Sequence, residues 1–110
     1  MREFTSINEI REFMFMYRRG KSFAADCIVI YFRKNNKSHI RLGITVTKKV
    51  GKAVVRNRVR RRIREAFSEL CPGISRSCDI IIVARTKAAE SSYSEIRSAM
   101  KYLMHKAELL

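Results

Sequence analysis

At 110 residues, with 46% apolar and 31% charged side chains, the chain has the make-up of one globular domain, and composition excludes both a disordered tail and a second core. A formal net charge of +14 calls for a polyanionic partner, while the lack of any apolar run near 18 residues excludes a membrane-spanning helix. The N-terminus MREFTSINEI carries an acid at its third residue and no apolar stretch of secretory-signal length, and neither end carries a lipidation motif.

In chain order, Ser6 and Glu9 have capping-box spacing, and Ile7, Ile10, Phe13, Met14 and Tyr17 recur at helical intervals until Gly20. They predict a first helix over about residues 7–18. AADCIVIYFR and HIRLGITVT are rich in β-branched and aromatic residues and flank the turn-forming KNNKS, which predicts two antiparallel strands near 26–33 and 39–47. After Gly51 the apolar period becomes 3.6, so a second helix is expected over about 54–70, stopped by Cys71-Pro72-Gly73. CDIIIVAR is a buried strand at 78–85, and Ser92 with Glu95 caps a third helix reaching about 108. A helix joins the strand ending at Thr47 to the strand starting at Cys78, so these two are expected to be parallel or separated within one sheet. The whole, residues 1–110, reads as an α+β, two-layer α/β sandwich.

Cys27, Cys71 and Cys78 are odd in number and form no CxxC pair, which suits packed, reduced thiols in a cytoplasm. With only His39 and His105 beside them no metal site is expected. Those histidines stand apart from each other, and Glu9, Glu65 and Glu95 read as caps or exposed charges, so the sequence offers no catalytic acid-base set.

The charge is concentrated. Residues 48–64, within KKVGKAVVRNRVRRRIREAF, hold nine of the 24 Lys and Arg and none of the 10 Asp and Glu. On a helical wheel Val55, Val59, Ile63, Ala66 and Leu70 fall on one line, with Phe67 at its edge; Asn57, Arg60, Arg61 and Arg64 lie opposite, and Arg56, Arg58 and Arg62 fill the flanks. Lys48, Lys49 and Lys52 extend the patch into the preceding loop, where Gly51 allows an unusual turn. Guanidinium forks bind phosphate in pairs of hydrogen bonds and stack on bases, so the partner class is a phosphodiester polyanion.

Thr47-Lys48-Lys49-Val50-Gly51-Lys52-Ala53-Val54, followed by Arg56-Asn57-Arg58, Arg60-Arg61 and Ile63-Arg64-Glu65, resembles the signature of the bacterial ribonuclease P protein component. The likeness runs along essentially the whole chain, including Phe13 to Gly20, the strand ending at Tyr31, the Gly43-Ile44 strand and IIIVAR. Lys52 stands where the family usually has Asn, Thr47 where Ser is common, and Arg62 where many members have an apolar or neutral residue.

The resemblance implies the order α-β-β-(β)-α-β-α, the bracketed strand being a short one near residues 21–24, and a left-handed βαβ crossover through the basic helix as in the second domain of ribosomal protein S5. It implies a subunit of an endoribonuclease that removes the 5′ leader of precursor tRNA, with chemistry carried by a catalytic RNA subunit and its magnesium ions and no cofactor on the protein alone. It assigns RNA-subunit binding to Lys48, Lys49, Arg56, Asn57, Arg58, Arg60, Arg61 and Arg64, and leader binding to Phe13, Tyr17 and Tyr31. Spacing alone reads Phe13 and Tyr17 as core, on one side with Ile10 and Met14. The competing reading is a ribosomal or other structured-RNA-binding protein of the same fold with no role in tRNA processing; a stand-alone nuclease lacks its acid-base set. No membrane and no protein partner is indicated.

Overall fold

The computed structural model describes residues 3–110. Its elements are β1 (Phe4–Ser6), α1 (Ile10–Arg19), β2 (Lys21–Ala24), β3 (Ile28–Lys34), β4 (Ile40–Thr45), α2 (Ala53–Leu70), β5 (Cys78–Ala84) and α3 (Tyr93–Lys106). Short 3-10 turns at Lys48–Val50, Cys71–Gly73 and Thr86–Glu90 join the last four. The strands form one sheet in the order β1-β4-β5-β3-β2. β4 runs parallel to β1 and β5, whereas β3 is antiparallel to β5 and β2.

β3 and β4 therefore run in opposite directions, as expected, but they do not pair: β5 lies between them. The reason is in CDIIIVA, whose residues are buried apart from a half-buried Val83, so its main-chain groups have no water to bond and are satisfied by a strand on each edge. β4 leads through α2 back to its parallel neighbour β5.

Alternation divides the strands between two faces. Ile28 and Ile30, Ile40 and Leu42, and Ile80 and Ile82 point to one side and meet α2 and α3 through Val59, Ile63, Ala66, Phe67, Ile96, Met100 and Leu103. Each such aliphatic side chain stabilises the fold by about 1.5–3 kcal/mol on full burial. Phe67, at the edge of the wheel, is fully buried and meets Phe4 edge to face at 4.9 Å. The predicted box at α3 is present: Glu95 N–H donates to Ser92 Oγ at 3.1 Å and Ser92 N–H donates to Glu95 Oε1 at 2.8 Å.

The N-terminal reading needs correction. Ser6 belongs to β1, an element with no signal in the sequence, and the buried Ile7 continues that line by donating its N–H to Leu42 O at 2.9 Å. Helix α1 begins only at Ile10, with Glu9 at its N-cap making no side-chain cap bond. Pairing to β4 wins over the Ser6–Glu9 spacing because it satisfies main-chain donors and buries Ile7 together. The apolar stripe of α1 also shifts: Ile10 is 81% exposed and Met14 46%, while Met16 is buried and Phe13 and Tyr17 are half-buried against the second face of the sheet.

On that second face the register sets side chains in three rows: Arg41–Asp79–Arg33, Gly43–Ile81–Tyr31 and Thr45–Val83–Val29. α1 packs there, opposite α2 and α3.

Candidate nucleic-acid interface

The arginine surface is built by α2, whose six arginines make no ion pair among the described residues. Two of them are tied to the protein. Arg58 Nη2 donates to Ala89 O at 3.2 Å and Arg62 Nη1 to Ser91 O at 2.8 Å, clamping the turn that leads into α3. Arg62 thereby gains a structural role that the sequence left open. Arg60 Nη1 donates to Asn57 Oδ1 at 3.1 Å, which fixes both outward, and Arg61 and Arg64 stand exposed. Arg56 and Arg58 bury their Nε donors without an acceptor, leaving the ends of their forks as the groups that reach a ligand.

Lys48 and Lys49 are exposed on the 3-10 turn ahead of α2, pinned beneath by the buried Val50. Gly51 follows at φ 155°, and a Cβ there would lie 3.1 Å from Val55 Cβ and Cγ1. The loop thus reaches the first turn of α2 by a path that only glycine takes without strain. The predicted RNA-subunit residues thus lie on α2 and on the turn that leads into it.

Phe13, Tyr17 and Tyr31 are brought together, in a row formed by α1 and β3. Phe13 and Tyr17 rings lie 6.3 Å apart and Tyr17 and Tyr31 5.0 Å apart, both edge to face. The Tyr17 hydroxyl pairs with Thr45 Oγ1 at 2.7 Å, fixing the ring against β4. Phe13 sits over Gly43, where a Cβ would come within 2.7 Å of its Cζ. All three rings are half-buried, so each packs on one side and leaves part of its surface to solvent. Gly43→Ala is expected to displace Phe13 and cost about 1–3 kcal/mol, read as a lower denaturant midpoint at unchanged slope.

Beneath α1 lies a charged hub. Asp79 is 1% exposed and accepts from Arg41 Nε at 2.9 Å and Nη2 at 2.8 Å, from Asn35 Nδ2 at 2.7 Å and from Arg33 Nε at 3.3 Å. Burial pushes its carboxyl upward, but the Arg41 and Asn35 hydrogen bonds and the charges of Arg41 and Arg33 outweigh it and hold the group below its ordinary value. Arg41 Nη1 reaches on to Glu12 Oε2 at 2.8 Å, which ties α1 to the sheet; the guanidinium is held charged, chiefly by Asp79.

The sequence reading missed Gly43, Thr45, Arg41 and Asp79. Their signal was present: alternation in IRLGIT places Arg41, Gly43 and Thr45 on one face, opposite Ile40, Leu42 and Ile44, and Asp79 interrupts an otherwise apolar run. Cys27, Cys71 and Cys78 are buried, and burial first, then the charge of Asp26, pushes the Cys27 thiol up, which suits packing rather than nucleophilic chemistry. His39 lies just before β4 and His105 near the end of α3. No helix of the described residues is long and apolar enough to cross a membrane.

The Ribonuclease P family profile matches residues 1–108. The ribonuclease P protein component of Oceanobacillus iheyensis is 40% identical over 105 residues, which cover 94% of this chain and 87% of that protein. Among solved structures, the RNase P protein of Staphylococcus aureus superposes with a TM-score of 0.87 at 34% identity, covering 94% of this chain and 95% of that one. The RNase P protein of Thermotoga maritima gives 0.83 at 31% identity, covering 92% and 96%.

Proposed function

The chain belongs to the ribonuclease P protein family, which makes it the protein subunit of an endoribonuclease that works in tRNA processing beside an RNA subunit, and on that premise we propose a division of labour between its two surfaces. The α2 face, with Arg56, Asn57, Arg58, Arg60, Arg61, Arg64 and the Lys48–Lys49 turn, holds the RNA subunit. The row Phe13–Tyr17–Tyr31 holds the single-stranded 5′ leader of precursor tRNA. The family match leaves the reading as a ribosomal or unspecialised RNA binder without support.

The observation that carries this reading is the pairing of an arginine face that makes no ion pair among the described residues with three half-buried rings that reach the end of β4 from which the Lys48 loop departs. Phosphates meeting α2 replace counterions and supply acceptors to forks such as those of Arg61 and Arg64, which have none among the described residues. Aromatic faces stack on unpaired bases without demanding a sequence, as a set of differing leaders requires.

Hydrolysis is assigned to the RNA-containing holoenzyme and its magnesium ions, with no cofactor bound by the protein alone. What supports this is the use of the two acids between α1 and the sheet: Asp79 and Glu12 are both engaged by Arg41. We place the protein in the cytoplasm, where its buried thiols stay reduced.

The test is a comparison of Tyr17→Ala with Tyr17→Phe in reconstituted holoenzyme. Loss of the ring is expected to raise the Michaelis constant for precursor tRNA by roughly 5- to 150-fold, the equivalent of about 1–3 kcal/mol for one stacked base, whereas Tyr17→Phe stays near wild type. Assembly with the RNA subunit should be unchanged in both. A Tyr17→Ala holoenzyme with an unaltered Michaelis constant would sink the leader assignment.

A further inference from the structure

On the side of α1 away from the aromatic row, the helix and the sheet enclose a second cleft of about 520 Å³, and neither Phe13, Tyr17 nor Tyr31 lines it. Six of its eleven lining residues are Arg or Lys and two are acidic. Arg41 and Arg33 together offset the two acids, so the excess positive charge resides in Arg11, Arg18, Arg19 and Lys37. Arg18, Arg19 and Lys37 are exposed and make no ion pair among the described residues, and Arg11 is held only by Glu9 at the rim.

The cleft does not end at α1. A neighbouring groove of about 310 Å³ shares Arg19 and Arg33 with it and adds Lys21, Lys34 and Arg76, with no acid in its lining. The two form one basic track that starts under α1 and turns over the ends of β2 and β3. A single small anion needs no such length; a strand of linked phosphates does.

The track also has a stacking element. Phe15 is 44% exposed, and the Arg33 guanidinium lies 4.6 Å from its ring centroid. Arg33 keeps a 3.3 Å bond from Nε to Asp79, its guanidinium lies against the Phe15 ring, and the residue lines both grooves. An exposed ring in a groove lined by arginines is the combination that grips unpaired nucleotides: base on the ring, phosphate on the forks.

The geometry points to a second single-stranded RNA site along this track, separate from the α2 face and from the aromatic row. Its ligand is a phosphodiester strand with at least one stacked base. That strand is either a leader long enough to pass beneath α1 or another single-stranded segment. The leader-row proposal bears only on which of these supplies it, since the free-strand measurement below does not involve Tyr17.

The test uses Arg18→Ala/Arg19→Ala, two exposed residues whose side chains make no bond among the described residues. Free full-length protein is titrated with fluorescein-labelled oligouridine, and holoenzyme with precursor tRNA carrying either a short leader or one several-fold longer. Oligouridine binding is expected to weaken roughly tenfold at ~0.15 M salt, with a salt slope shallower by about 1.4, since each single-strand phosphate contact releases ~0.7 counterion. Parallel weakening of the long-leader precursor alone identifies the strand as the leader; unchanged binding of both precursors identifies another strand. Oligouridine affinity and slope equal to wild type overturn the site, as does an acidic peptide that displaces oligouridine at equal concentration. Failure of the leader row would appear instead as a short-leader precursor indifferent to Tyr17→Ala.

Discussion

Protein carrying Arg61→Ala and Arg64→Ala together is expected to bind the RNA subunit roughly thirtyfold more weakly at ~0.15 M salt, with a plot of log affinity against log salt shallower by about two. These two arginines are the clean choice because both are exposed and neither side chain is bonded to another among the described residues. Their loss removes phosphate contacts and leaves the fold alone, so the melting temperature should hold or rise slightly as like charges on α2 are thinned. Filter binding or fluorescence titration across a salt series checks it.

The matching control is Arg62→Ala, which breaks the 2.8 Å bond to Ser91 O and loosens the entry to α3. That bond, from a charged donor, contributes about 1.5–3 kcal/mol, and its loss should appear in melting temperature with a salt slope close to wild type. Arg58 stands between the two classes, since it holds Ala89 O and still presents the rest of its fork. Weakened assembly from Arg61→Ala/Arg64→Ala with no change of slope would mean that these arginines act on protein shape, and the α2 assignment would fail.

How much of this was visible beforehand follows the reach of each signal. The α2 stripe and the α3 box were legible because their determinants lie within one helical turn of one another: Val59 with Ile63, Ser92 with Glu95. β1 was not, because three residues carry no period, and Phe4–Ser6 is a strand only through pairing with Ile40–Leu42, more than thirty residues on. The same nonlocality misplaced the N-terminus of α1, whose local capping pattern lost to that pairing. Insertion of β5 between β3 and β4 depends on the sheet as a whole, and KNNKS would have served a hairpin equally well.

For the site, the split was between charge and scaffold. Nine cations in seventeen residues announce a polyanion surface in any register. Family likeness alone assigns Phe13, Tyr17 and Tyr31 to the leader, because spacing cannot tell a ring that is buried all round from one that packs on one side. The structure adds what makes them half-buried: Gly43 leaves room for one ring and Thr45 fixes another.

Asp79→Ala is expected to have the largest effect on stability of any single change in the chain. It removes the acceptor of four hydrogen bonds and leaves Arg41, whose side chain is 12% exposed, with Glu12 as its one acid. Breaking a buried pair by deleting one partner costs about 3–5 kcal/mol. Because Glu12 remains, the lower end applies, and for a domain of this size about 3 kcal/mol lowers the melting temperature by roughly 10–20 °C. The pH dependence follows from the lowered carboxyl: its stabilisation is complete above the ordinary value of 3.8 and is lost as pH falls through the folded value below that. The gap in stability between wild type and Asp79→Asn should therefore stay constant from neutral pH to about 5 and narrow below 3.8. A gap that widens on acidification would show that Asp79 is not the charged hub. The same residue holds Arg41, Arg41 holds Glu12, and Glu12 seats α1. Asp79→Ala protein, assayed well below its own melting temperature, should thus bind the RNA subunit through α2 nearly as wild type does while losing affinity for precursor tRNA, because the helix that carries Phe13 and Tyr17 has lost its anchor.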